Sequence, residues 1–86
     1  MSEDPHKYPC EIPIKVMGRH DSDLRALTQA IVERHAGPLP DAKVRTRTSA
    51  DGNFLALTYL VLANDREQLD AIYRELTACK SVLMAL

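Results

Sequence analysis

The residues of this chain that could do chemistry are few and scattered. His20 stands between Arg19 and Asp21, directly after Gly18, and this run is the strongest local candidate. Histidine titrates near neutrality and a neighbouring carboxylate can fix its tautomer, so His20 with Asp21 could move a proton, and Arg19 could help hold an anion. A solvated loop histidine ahead of a helix cap explains the same letters more simply. His35 reads as a helix-terminal residue interacting with the last carbonyls, which needs no metal, and His6 falls in a polar leading segment. Cys10 and Cys79 lie far apart with no CxxC and no nearby His pair, so their spacing supports neither a zinc site nor a disulfide scaffold. A phosphate-cradling Gly-rich loop, an HExxH helix and a serine elbow are all missing from the sequence. The expectation is a non-enzyme with no cofactor and no metal.

The elements that must position these residues follow from composition and pattern. The chain has 86 residues, 45% of them hydrophobic, which is enough for one core and one domain. Eleven Lys and Arg against twelve Asp and Glu give a formal charge of -1. That near-balance argues against nucleic acid or an anionic membrane as partner, because both depend on a broad uncompensated cationic surface. The start, Met1-Ser2-Glu3-Asp4-Pro5, is acidic where a secretory signal would be basic and then apolar, so a cytoplasmic location is expected. The longest apolar run, Phe54 to Ala63, is about half the roughly 20 residues that cross a bilayer as a helix, and no membrane span is expected.

Residues 1–9 mix charge with proline and read as a flexible tail, leaving 10–86 as a single domain. Ile12, Ile14 and Val16 alternate with Pro13, Lys15 and Met17 as a strand with one buried face, and Gly18 closes it. Pro13 has no N–H to give to a ladder, so pairing should be weak or one-sided near the strand's beginning. Asp21 or Ser22 caps a helix whose stripe is Leu24, Leu27, Ile31 and His35, and which stops at Gly37, Pro38 and Pro40. Residues 42–48 alternate weakly apolar positions with Lys43, Arg45 and Arg47, as an edge strand does, and an Asp51-Gly52 turn leads into a strand that is apolar on both sides. Asn64 or Asp65 caps a second helix with Leu69, Ile72, Tyr73 and Leu76 inward, and Val82, Met84 and Leu86 alternate in a last strand.

The order βαββαβ packs most economically as an α+β, ferredoxin-like sandwich, an antiparallel sheet of order 4-1-3-2 with both helices on one face. Ile12, Ile14, Val16, Leu57, Tyr59, Val61, Val82 and Met84 then point toward the helices. Met17, Phe54, Leu60, Leu62 and Leu83 point away and form an apolar patch, the mark of an interaction surface for a second copy or a protein partner. The tail with Tyr8 could instead cover part of it, or the twist of the third strand could carry Leu62 out of it. Lys15, Lys43, Arg45 and Arg47 emerge on the same face or its edge, where they could dock an acidic partner or simply discourage edge-to-edge aggregation. Base stacking on this face has only Phe54 to use.

Tyr8-Pro9, the run from Ile14 to Gly18, Ile31 to His35, Asp51 to Phe54, Leu69 to Leu76 and Val82 to Leu86 together resemble the bacterial YbeD-like family of small uncharacterised proteins. The resemblance covers nearly the whole chain from Tyr8 onward. It implies likeness in fold to ACT-type regulatory domains, which bind small effectors. By that analogy Gly18, Arg19, His20, Asp21 and Ser22 become a candidate ligand-binding segment, in which Gly18 admits a close approach and the N–H groups near Asp21 and Ser22 receive a carboxylate. Two readings stand: a regulatory or adaptor module that binds a small anionic metabolite near Gly18, and a protein-interaction module that works through the open sheet face with no ligand.

Overall fold

Period-two hydrophobicity builds the centre of the molecule. In the computed structural model, which describes residues 7–20 and 23–86, Cys10–Arg19 forms β1 and Phe54–Ala63 forms β3. They pair antiparallel along their full length, Cys10 opposite Ala63 and Arg19 opposite Phe54. Val44–Thr48 is β2, paired with β3, and Val82–Ala85 is β4, paired with β1, giving the order β2-β3-β1-β4. Between β1 and β2 lies α1, Leu24–Ala36, and between β3 and β4 lies α2, Arg66–Ala78. Both helices contact β3, while α1 also meets β1 and α2 also meets β4. The result is the expected ferredoxin-like α+β architecture.

The core lies between the sheet and the helices. Ile12, Ile14 and Val16 of β1 and Leu55, Leu57, Tyr59, Val61 and Ala63 of β3 meet Leu24, Ile31 and Val32 of α1 and Leu69, Ile72 and Leu76 of α2. Tyr8 packs against this cluster and not across the sheet's other side, and Cys10 and Cys79 are half-buried free thiols. The hairpin between β2 and β3 turns on Gly52 at φ 78°, a conformation open to glycine. Asp51 accepts there from the Ser49 hydroxyl and the Asn53 N–H, and the Asn53 N–H, with the Ser49 hydroxyl second, lowers its carboxyl pKa. Asp65 caps α2 by accepting from the Gln68 N–H at 2.8 Å, while the Gln68 side chain accepts from the Asn64 N–H at 2.7 Å. Asp21 and Ser22, the expected caps of α1, lie outside the described residues.

Two details differ from the sequence reading. The buried stripe of α1 is Leu24, Thr28, Ile31 and Val32, with Leu27 turned to solvent. Thr28 can be buried because its hydroxyl lies 2.8 Å from the Leu24 carbonyl and 2.6 Å from the Tyr59 hydroxyl, so no polar group is stranded. The phase of β4 is also shifted. Met17 faces Met84 but Gly18 faces Val82, so Leu83 is the extra residue of a bulge. Beyond it Ala85 faces the helices opposite Val16, and Met84 points to the open side instead of toward the core. The one-sided pairing expected at Pro13 is present. Only from Lys15, which exchanges both backbone hydrogen bonds with Leu86, does β1 have a second neighbour. Alternate residues face the same edge, so the nitrogen of Pro13 lies at the stretch without one.

Candidate functional site

The open face of the sheet is set by the same alternation that fills the core. Residues of β1 that oppose β3 on this side are Lys15 with Thr58, Met17 with Ala56 and Arg19 with Phe54. From β2, Arg45 stands beside Thr58 and Arg47 beside Ala56. The bulge brings Met84 next to Met17, and the ladder brings Leu86 next to Lys15. Across its middle the face therefore reads Arg47, Ala56, Met17 and Met84, and one row further Arg45, Thr58, Lys15 and Leu86.

Exposure agrees with this register: Met17 is 43% exposed, Phe54 39%, Leu62 56% and Met84 51%, while Leu83, the unpaired residue of the bulge, is 57% exposed. Leu60 is half-buried, near the end of the face where Lys43 pairs with Glu11. Met84 joins this surface although the alternation reading placed it inside, and Leu86 joins it as well. A bulge leaves no compositional trace, so only the crowding around Gly18 could have pointed to it. Ala56, with its short side chain, leaves a cavity of about 100 Å³ bounded by Lys15, Met17, Thr58, Met84 and Leu86. Beyond Phe54 two shallower clefts open, one past Met17 and Arg47 and the other past Arg19 and His20.

Of the Gly18 to Ser22 segment the described residues are Gly18, Arg19 and His20, and Gly18 is set apart from the other two. Gly18 is buried, and a Cβ there would collide with the Ser81 carbonyl and the Leu24 methyls, so the space it leaves is filled by the chain itself. Arg19 and His20 are exposed and line a cleft of about 470 Å³ with Gly52, Asn53 and Phe54. The His20 N–H donates to the Asn53 carbonyl at 2.8 Å, and Nδ1 lies 3.1 Å from the Gly52 carbonyl, which makes Nδ1 the protonated nitrogen and leaves Nε2 facing outward. Asp21 and Ser22 are outside the described residues. His35 does not turn back to its own helix. Its Nε2 meets Glu75 of α2, which Arg34 also reaches at 2.7 Å. The His35 hydrogen bond, reinforced by the Arg34 charge, lowers the Glu75 carboxyl pKa.

Among the described residues no group of three or more His, Cys, Asp or Glu is placed to hold a metal, and no helix is long and apolar enough to cross a membrane. The architecture is that of a small α+β domain in which, among the described residues, the helices cover one face of the sheet and no element covers the other. Its sequence matches the family described as "Protein of unknown function (DUF493)" over residues 3–86. It is 43% identical over 81 residues to a UPF0250 protein of Chromobacterium violaceum, covering 93% of this chain and 90% of that one. It is 40% identical to a UPF0250 protein of Ralstonia nicotianae, covering 93% and 82%, and 45% identical to one of Bordetella pertussis, covering 81% and 77%. The chain belongs to this DUF493 (UPF0250) family, the YbeD-like family that its sequence resembles.

Proposed function

We propose that the protein is a non-enzymatic cytoplasmic adaptor that docks a protein partner on the open face of its sheet. The observation that carries this reading is the contiguous set of exposed apolar side chains, Met17, Phe54, Met84 and Leu86, on a surface that no helix among the described residues covers. Solvent-exposed apolar patches of this kind mark interaction sites. The test is a photo-crosslinking residue at position 17 or 84 in living cells, with position 74, on the exposed side of α2, as the control. The reading expects a defined protein adduct from 17 and 84 and none from 74. Equal labelling at all three positions, or none at 17 and 84, contradicts it.

A second reading rests on the cleft between Arg19 and His20. The Arg19 guanidinium suits a small carboxylate or other anion, which would meet this side chain and not the backbone of Gly18, with the unprotonated Nε2 of His20 left to accept from a donor on the same ligand. An NMR titration with a panel of amino acids and small carboxylates decides it. Shifts confined to Arg19, His20, Asn53 and Phe54 support an effector site, and silence across the panel removes it.

A further inference from the structure

Charge in this molecule is sorted by layer. The four strands carry four cations, Lys15, Arg19, Arg45 and Arg47, and a single carboxylate, Glu11. In a chain with formal charge -1 the strands thus hold +3 and everything else -4. By strand alternation these ionic side chains emerge on the open face, since their neighbours in sequence fill the core. Glu11 is occupied by Lys43 at the far end beside Leu62. Among the described residues none of the four cations has a carboxylate within ion-pair distance. Between them lies the dimple over Ala56, apolar and about 100 Å³ in volume.

We propose that the open face takes an acidic polypeptide segment, one aliphatic side chain of which fills the dimple over Ala56 while flanking Asp or Glu carboxylates pair with Lys15, Arg45 and Arg47. This rests on the docking reading above and names the chemistry of the partner. Complementary charge selects this occupant. A second copy docked through the same face would bring together two surfaces of the same sign, each with Lys15, Arg45 and Arg47 and with Glu11 already held by Lys43, and like charges brought together disfavour that pairing. A nucleic acid would find the cations but almost no stacking platform, Phe54 being the one aromatic side chain on this face, and the anionic remainder of the chain repels a polyanion. An acidic segment with an aliphatic anchor uses both properties of the surface, and burial of the anchor strengthens the ion pairs around it by excluding water.

The experiment is an amide NMR titration of the full chain with a short peptide of glutamates around a central leucine. It is repeated with glutamine in place of glutamate, with alanine in place of leucine, and with a short oligouridylate. Shifts are expected at Lys15, Met17, Ala56, Thr58 and Met84, with binding about tenfold weaker for either altered peptide and for the Arg45→Glu, Arg47→Glu double variant. Binding should also weaken as salt rises from about 0.05 M to about 0.5 M. Unchanged helix signals in the double variant show that its fold is intact, and Ala56→Met, which fills the dimple without altering charge, must weaken binding as well. A glutamine peptide that binds as tightly as the glutamate peptide overturns the acidic assignment and leaves the docking reading standing. Tighter binding of the oligouridylate, or no shift on the open face with any peptide, also overturns it, while the crosslinks from positions 17 and 84 judge the docking reading separately.

Discussion

Gly18 and Ser81 touch backbone to backbone. A Cβ on Gly18 would run into the Ser81 carbonyl oxygen and come within 2.9 and 3.0 Å of the two Leu24 methyls. The glycine is therefore the place where the end of the α2–β4 connection and the start of α1 close over β1. Its φ is not positive, unlike those of Gly37 and Gly52, so the need for glycine here is one of space and not of torsion. Gly18→Ala should cost about 1–3 kcal/mol through overpacking against atoms that cannot move aside. Gly52→Ala, at φ 78° with nothing nearby, should cost about 1–2 kcal/mol from torsional strain alone. Urea denaturation of the two variants checks both, and only Gly18→Ala should disturb the signals of Leu24 and Val82.

The Thr28–Tyr59 hydroxyl pair, 2.6 Å apart in the core, gives a second expectation. Tyr59→Phe leaves Thr28 bonded to the Leu24 carbonyl and should cost about 0.5–1.5 kcal/mol. Thr28→Val leaves the Tyr59 hydroxyl with only a 3.4 Å contact to the Arg25 carbonyl and should cost about 1–3 kcal/mol. The double variant should cost less than the sum of the two, which a thermodynamic cycle measures directly. Burial also raises the Tyr59 pKa above its ordinary 10.0, against the opposing hydrogen bond from Thr28. The folded chain then keeps a proton that the unfolded chain releases, so stability should decline as pH rises past 10.0, and less steeply in Tyr59→Phe.

At the acid end the sign reverses. Glu75 is held below its ordinary 4.5, first by the His35 hydrogen bond and then by the Arg34 charge. Its contribution is complete above that value and is lost as pH falls through the lower, folded-state pKa. Thermal melts from neutral to acidic pH should show a drop in that window, shallower in Glu75→Gln. A carboxyl-detected titration should find Glu75 protonating below 4.5. An unchanged acid limb in the variant would mean that the link between α1 and α2 contributes nothing to stability.

Substitutions on the open face should be nearly silent in stability. Met17→Gln and Met84→Gln remove exposed side chains that no core residue leans on and should stay within about 0.5 kcal/mol of the parent chain in urea. Ile14→Ala and Leu57→Ala, on the buried face of the same sheet, should each cost about 2–5 kcal/mol.

Where side-chain periodicity alone decides structure, the sequence was sufficient to read it. Leu55, Leu57, Tyr59 and Val61 announce a central strand, Leu69, Ile72 and Leu76 a helix stripe, and Asp65 with Gln68 its start, and all hold. The failures lie where a tertiary contact overrides the pattern. Thr28 is polar and so reads as outward, yet Tyr59 provides the partner that lets it in while Leu27 turns out. The bulge at Leu83 reverses the phase of β4, moving Met84 to the open side, and nothing within residues 82–86 signals it. His35 looked local because its partner, Glu75, is 40 residues away in sequence. That Lys15, Arg45 and Arg47 share the open face or its edge was legible from alternation and strand order, but which residues they stand beside, and the commitment of Lys43 to Glu11, depend on strand register, which pattern alone does not supply.

The most direct test of the account is solvent paramagnetic relaxation of the methionine methyls in the purified full chain, read at several concentrations. If the reverse of the sheet is bare, Met17 and Met84 will relax strongly and equally at every dilution, while the methyls of Ile14 and Leu57 stay shielded. Shielding of Met17 and Met84 even in the most dilute sample would show that the chain covers this face itself, and the docking surface would have no place to exist.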